Sequence, residues 1–181
     1  TNINVVNNNV PNSGGGIHCQ ESSSPRFSNM AISGNTAGSA GGGLYCLSNS
    51  EPTLTNVTIT NNTSYWGGGG IFIGGSTLII NGGNISNNTA GETGGGIYAE
   101  NSSFTLDNVT VSNNSSTGGG GLDTEVGGIS INNNANAGDH IRILNSTISN
   151  NTTTGGSSIG GLSVSGVDSI TLAYTEISGN S

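Results

Sequence analysis

The chain has 181 residues, the length of one domain, with 30% hydrophobic residues, 33 glycines and a net charge of −8. Two arginines and no lysine leave almost nothing to neutralise phosphates, which excludes nucleic acid and anionic membranes as partners. By composition the chain could be disordered, but a repeat lets many turns share one narrow core, so few apolar residues suffice.

Residues 6–9 read as the tail of one copy. The copies align on a glycine run and an aliphatic residue. Gly14-Gly15-Gly16-Ile17, Gly41-Gly42-Gly43-Leu44 and Gly68-Gly69-Gly70-Ile71 recur every 27 residues. Gly94-Gly95-Gly96-Ile97 follows after 26, Gly119-Gly120-Gly121-Leu122 after 25, and Gly160-Gly161-Leu162 after a longer interval. A second element repeats as Phe27 to Ile32, Leu54 to Ile59, Leu106 to Val111, Ile143 to Ile148 and Leu172 to Ile177. Copies close on Asn and a small polar residue, as in Asn35-Thr36, Asn62-Thr63, Asn88-Thr89, Asn114-Ser115, Asn151-Thr152 and Asn180-Ser181. Asn-x-Ser/Thr triplets at Asn56, Asn101, Asn108 and Asn145 follow from the repeat itself.

A unit of about 26 residues with short β-branched segments has room for three strands and three turns. No window has apolar residues at helical spacing, and the L-x-x-L-x-L pattern of leucine-rich repeats is missing. The expected fold is therefore all-β: a single-domain right-handed parallel β-helix of six to seven coils, 26–27 residues each. At a stacking distance of ~4.8 Å this makes a rod of roughly 30 Å.

Alternation predicts three inward columns. The first is Ile17, Leu44, Ile71, Ile97, Leu122 and Leu162. The second is Ile32, Ile59, Ile85, Val111, Ile148 and Ile177. The third is Phe27, Leu54, Ile80, Leu106, Ile143 and Leu172. Asn29, Asn56, Asn108 and Asn145 fall at one bend, where stacked amides would form a structural ladder. The glycine runs suit a corner needing positive φ or close coil contact. An inserted loop is expected near residues 125–140, around Ile131 to Gly138.

Gly94-Gly95-Gly96-Ile97-Tyr98-Ala99 with Phe104 to Asn108 resembles the repeats of chlamydial polymorphic outer-membrane proteins and of choice-of-anchor bacterial surface proteins. The resemblance covers nearly the whole chain, although the Phe-to-Asn spacing varies. It implies an exported, surface-displayed passenger that adheres or presents a stalk, with an extracellular or cell-surface location.

Cys19 and Cys46 hold the same place in neighbouring copies, so stacking sets their Cα atoms ~4.8 Å apart, within disulfide reach. A disulfide is the favoured expectation and two free buried thiols the alternative. His18, Tyr45, Phe72 and Tyr98, continued by Asp123 and Ser163, form an outward column that Tyr65 and Trp66 can join. The rings either stack across strands to stabilise the sheet or offer a carbohydrate or host-surface ligand an apolar face.

The outward pairs Thr58/Thr60, Thr110/Ser112 and Thr147/Ser149 resemble ice-binding arrays, although Ala31, Asn84 and Glu176 interrupt them. Polysaccharide lyase chemistry needs acidic residues beside a base. Arg26 and Arg142 are far apart in coil order. For hydrolysis, Asp123 and Glu125 would stand ~6.6 Å apart, with Asp139 and His140 approaching from the loop. A solvated acidic edge is the preferred reading, so no catalytic residue, metal or cofactor is assigned. No Lys-Ser/Thr follows the glycine runs, so they are not phosphate loops. No apolar run spans a bilayer and no signal peptide opens the chain. Both termini fall inside the repeat, so either the chain continues beyond them or copies associate end to end.

Overall fold

Each copy alternates β-branched and polar residues between turn formers, and the backbone follows that alternation. The computed structural model describes residues 3–118, 125–134, 138–155 and 158–181. Over these the chain winds into stacked, three-sided coils whose strands all pair in parallel. The long face carries Ile3–Val6, Met30–Ser33, Thr53–Thr60, Thr77–Ser86, Ser103–Ser112, His140–Leu144 and Ser169–Ala173 in that spatial order. The short face carries Asn9–Val10, Thr36–Ala37, Thr63–Ser64, Thr89–Ala90, Ser115–Ser116 and Thr152–Thr153. The third face carries Ile17–Cys19, Leu44–Leu47, Ile71–Gly74, Ile97–Glu100, Ile129–Asn132 and Leu162–Ser165. The solenoid expectation and its repeat length hold: Leu44 pairs with Ile71, and Ile71 with Ile97.

The inward columns are as alternation predicts. Ile32, Ile59, Ile85, Val111 and Ile148 lie buried in one line, and Leu54, Ile80, Leu106 and Ile143 in another. Each fully buried side chain of this kind contributes roughly 1.5–3 kcal/mol, so one coil holds the next mainly through these stacks.

Left-handed residues make the corners. Asn29, Asn56, Asn108 and Asn145, at φ of 49–57°, break the long strand between its two halves, with Gly82 taking that place in the coil between. These four asparagines are exposed, and their amides do not form the continuous ladder expected of them. Asn56 reaches Asn29 only at 3.5 Å, and Asn145 donates to Asp107 at 2.8 Å. Their role is conformational, because Asn tolerates the left-handed region better than other non-glycine residues.

The true ladder is the column Asn8, Asn35, Asn62, Asn88, Asn114, Asn151 and Asn180, buried from Asn35 to Asn151 and open at its two ends. Asn35 Nδ2 donates to Asn62 Oδ1 at 2.9 Å, Asn62 to Asn88 at 3.0 Å, Asn88 to Asn114 at 3.0 Å and Asn114 to Asn151 at 2.9 Å. The same oxygens accept the backbone N–H of the preceding asparagine, and each second amide hydrogen goes to a carbonyl of an earlier coil, such as Ile32 or Ile59. The ladder thus satisfies backbone groups at a corner that excludes water.

The expected loop near 125–140 contains part of the repeat. Ile129–Asn132 pairs with Ile97–Glu100 on one side and Leu162–Ser165 on the other, and Ile131 is buried. Two Gly-Gly-aliphatic runs compete for that corner, and the second wins. The carbonyls of Val126, Gly127 and Gly128 accept the hydrogen bonds of Gly95, Gly96 and Ile97. Ile129 therefore holds the inward position expected of Leu122, and Ser130 the outward position expected of Asp123. Leu122 and Asp123 themselves lie outside the described residues, as do residues 135–137.

Candidate functional site

Strand alternation turns one side chain in two away from the core, so anything a partner can touch stands on a flank. On the third face the register places His18, Tyr45, Phe72 and Tyr98 side by side on successive coils. Tyr45 stacks on Phe72 with centroids 4.9 Å apart, and Phe72 meets Tyr98 edge-on at 5.5 Å. His18 meets Tyr45 edge-on at 4.9 Å. Trp66 folds over this row, 5.8 Å from Phe72 and 5.5 Å from Tyr98.

The consequence corrects the expectation of an exposed binding column. Phe72 and Tyr98 are 3% and 2% exposed, forming a small second core with Ala40 that Tyr45, Leu47 and Trp66 cover. Only His18 stands in the open, where its Nε2 lies 3.1 Å from Gln20. Burial pushes the Tyr98 hydroxyl above its ordinary value, opposed by a hydrogen bond with Asn132 and reinforced by the Glu100 and Glu92 carboxylates. Rings with this geometry stabilise the sheet by stacking, the plainer of the two sequence readings.

Cys19 and Cys46 are register partners, both buried. In this structure their thiols are free, and the expected disulfide bond is not formed. The thiols interact instead. A hydrogen bond from Cys46 holds Cys19 below its ordinary value, against the opposing effect of burial. The same bond, then burial and the neighbouring Cys19 charge, drive Cys46 well above its own.

Tyr65 parts company with Trp66. Adjacent residues at a corner face opposite ways, and the Tyr65 ring is 73% exposed beside the short face. There it borders a groove of about 480 Å³, lined by Thr36, Thr63, Thr89, Gly91, Glu92 and neighbouring residues. The hydrogen-bond pattern sets Gly91 and Thr117 successively beyond Tyr65, and Glu92 beyond Trp66. Glu92 is 9% exposed. The lone signal in the sequence was a bulky aromatic at a position that is glycine in the next coil, and its partnership with Glu92 needed the register.

On the long face, Thr58, Asn84, Thr110, Thr147 and Glu176 form one outward column, and Thr60, Ser86, Ser112, Ser149 and Ser178 the next. Asn84 donates to Ser86 at 2.8 Å and Ser178 to Glu176 at 2.7 Å, so the interruptions consume neighbouring hydroxyls. Of the acidic residues considered for hydrolysis, Asp123 lies outside the described residues, and Glu125 and Asp139 do not converge. Glu125 accepts from Thr153 at 3.5 Å, whereas Asp139 accepts from Asn133 at 3.1 Å, at opposite ends of the strand Ile129–Asn132. His140 Nδ1 lies 2.8 Å from Ser169. Arg26 and Arg142 share an outward column, separated by Thr53, Ile79 and Thr105.

Comparison with curated proteins and with solved structures returns no match. Among protein families, the model described as "Right handed beta helix region" matches residues 1–181. The match runs through all the coils described above, glycine corners and asparagine ladder included. This chain belongs to the right-handed β-helix family.

Proposed function

We propose that the chain is the rod of a non-enzymatic, extracellular or cell-surface protein: a β-helical stalk that stacks coil on coil and adheres through its flanks. The observation that carries this reading is the self-templating repeat. Ile141 and Ile143 are buried under the following coil, whereas Ile170 and Leu172 in the same columns are 39% and 47% exposed. Ile177, in line with the buried Ile148, is 46% exposed. This coil presents another coil with the row of side chains and strand edges that every interior coil presents to its neighbour. A further coil of the same repeat fits there, and a second copy of the chain in a heterologous, head-to-tail contact meets that requirement as a continuation of the same chain does. The resemblance to surface-displayed repeat passengers supports the same reading.

Electron microscopy and light scattering of the purified chain test it. Rods of many lengths, growing with concentration and shortened by Leu172→Lys with Ile177→Lys, are expected. Rods of one length at high concentration would remove the stacking part of the proposal.

A further inference from the structure

The two cysteines of the chain stand where packing asks for no sulfur. Their column on the third face continues as Ile73, Ala99, Ile131 and Val164, all aliphatic. Side chains of that kind would fill the first two places as well. Instead Cys19 and Cys46 fall on consecutive coils, in direct register, with a hydrogen bond between their thiols. Strand pairing sets their Cα atoms ~4.8 Å apart, inside the span that a disulfide bridges.

The two sulfurs are not equivalent. Cys19 keeps 6% of its surface exposed and is followed by Gln20, Glu21 and Ser22, an exposed corner, whereas Cys46 is fully enclosed. The hydrogen bond from Cys46 favours the Cys19 thiolate and keeps Cys46 protonated. The thiolate is the form that attacks a disulfide, and access decides which thiol a reagent meets first. Both criteria choose Cys19 to enter the reaction and leave Cys46 to complete it.

We propose that Cys19 and Cys46 are a redox modification site: a small disulfide such as oxidised glutathione reacts first at Cys19, and Cys46 then closes an intrachain disulfide that clips two coils together. In the first step the Cys19 thiolate attacks one glutathione sulfur. The glutathione S–S bond breaks, one glutathione leaves as its thiolate, and Cys19 carries the other as a mixed disulfide. In the second step Cys46 gives its proton to the glutathione thiolate already released and attacks the Cys19 sulfur. The second glutathione leaves as a thiolate and takes its proton from water. Two electrons have then passed from the protein thiols to one glutathione disulfide, which ends as two thiols. The cross-link joins residues 27 apart, so it restricts the unfolded chain and holds Ile17–Cys19 on Leu44–Leu47.

The test is intact-mass spectrometry of the folded, reduced chain after incubation with oxidised glutathione, followed by alkylation in urea of any thiol that remains. The chain is expected to lose two hydrogens, to retain no glutathione and to offer no thiol for alkylation. Its urea midpoint should rise, and a dithiol reductant should reverse both changes. Cys46→Ala, which has no second thiol, should accumulate one glutathione on Cys19. Cys19→Ala should take up glutathione at least about tenfold more slowly while folded. Alanine already occupies this column at Ala99, so both variants suit the core, and the unaltered chain gives its own answer if either unfolds. Thiols that react only once urea unfolds the chain, glutathione retained without ring closure, or disulfide-linked dimers in place of the intrachain bond would each overturn the proposal. Equal capture of glutathione by the two variants would overturn the order of attack.

Discussion

The side-chain amide of Asn62 donates to Oδ1 of Asn88 at 3.0 Å, and the backbone N–H of Asn62 reaches the same oxygen at 2.9 Å. One carboxamide therefore serves two donors on the coil before it, while its own nitrogen supplies Ile59 O and Asn114 Oδ1, each hydrogen bond within reach of no water.

Asn88→Ala should be among the most damaging single changes. It leaves the buried donors of Asn62 without their acceptor and takes the side-chain donor from Ile59 O and from Asn114 Oδ1, which keeps only the backbone N–H of residue 88, and should destabilise the chain by about 3 kcal/mol or more. Asn56→Gly, at an exposed left-handed corner, should stay within about 1 kcal/mol of the unaltered chain. Urea denaturation compares the two directly. Equal losses would mean that the ladder and the bend are of equal weight, contrary to the hydrogen bonds described.

Gly69→Ala should be similarly disruptive, for a steric reason. A Cβ there would lie 2.6 Å from Gly95 O and 2.5 Å from Thr89 O on the next coil. Both contacts are backbone, so the coils must part, at about 3 kcal/mol or more. Gly75→Ala meets no neighbouring atom, and its penalty should be only the strain of its φ of +54°, about 1 kcal/mol. Thermal unfolding followed by circular dichroism separates them.

The thiol pair predicts an alkaline limit to stability. Cys46 is held protonated in the folded chain, so the folded state binds more protons than the unfolded one once the pH exceeds the ordinary thiol value of about 8.5. Stability is then fully present below that pH and falls as the pH rises above it. The lowered Cys19 acts only below that pH, because above about 8.5 it has lost its proton in both states, which leaves the alkaline decline to Cys46. Buried Tyr98 adds a loss of the same sign above about pH 10. Urea midpoints of the reduced protein between neutral and alkaline pH should therefore decline, and Cys46→Ala should delay the onset to the tyrosine range.

Phe72→Ala should cost about 3 kcal/mol, because the ring is buried between Tyr45, Trp66 and Tyr98. Trp66 is the lone tryptophan and packs on this cluster, so its fluorescence reports the loss.

Periodicity carried most of the fold in one dimension. The interval between glycine runs sets the coil length, alternation sets which side chains face inward, and a lack of helical spacing leaves only strands. These are local properties of a chain in which each copy repeats its neighbour, so sequence alone determined the solenoid, its three faces and the buried columns of Ile32 and Leu54. Four decisions needed the third dimension. Two glycine runs compete for one corner, and only pairing with Ile97–Glu100 selects Gly127-Gly128. Two asparagines recur in each copy, and only the backbone path decides which is buried as a ladder and which bends the strand in the open. An outward strand position is exposed only if nothing lies over it, and Trp66, from a distant part of the coil, covers Phe72 and Tyr98. Tyr65 and Glu92 line one groove because the coil returns to that corner 26 residues on, at Gly91, which Glu92 follows. Contacts between coils depend on register and on the direction each corner turns, and neither is written within one copy of the repeat.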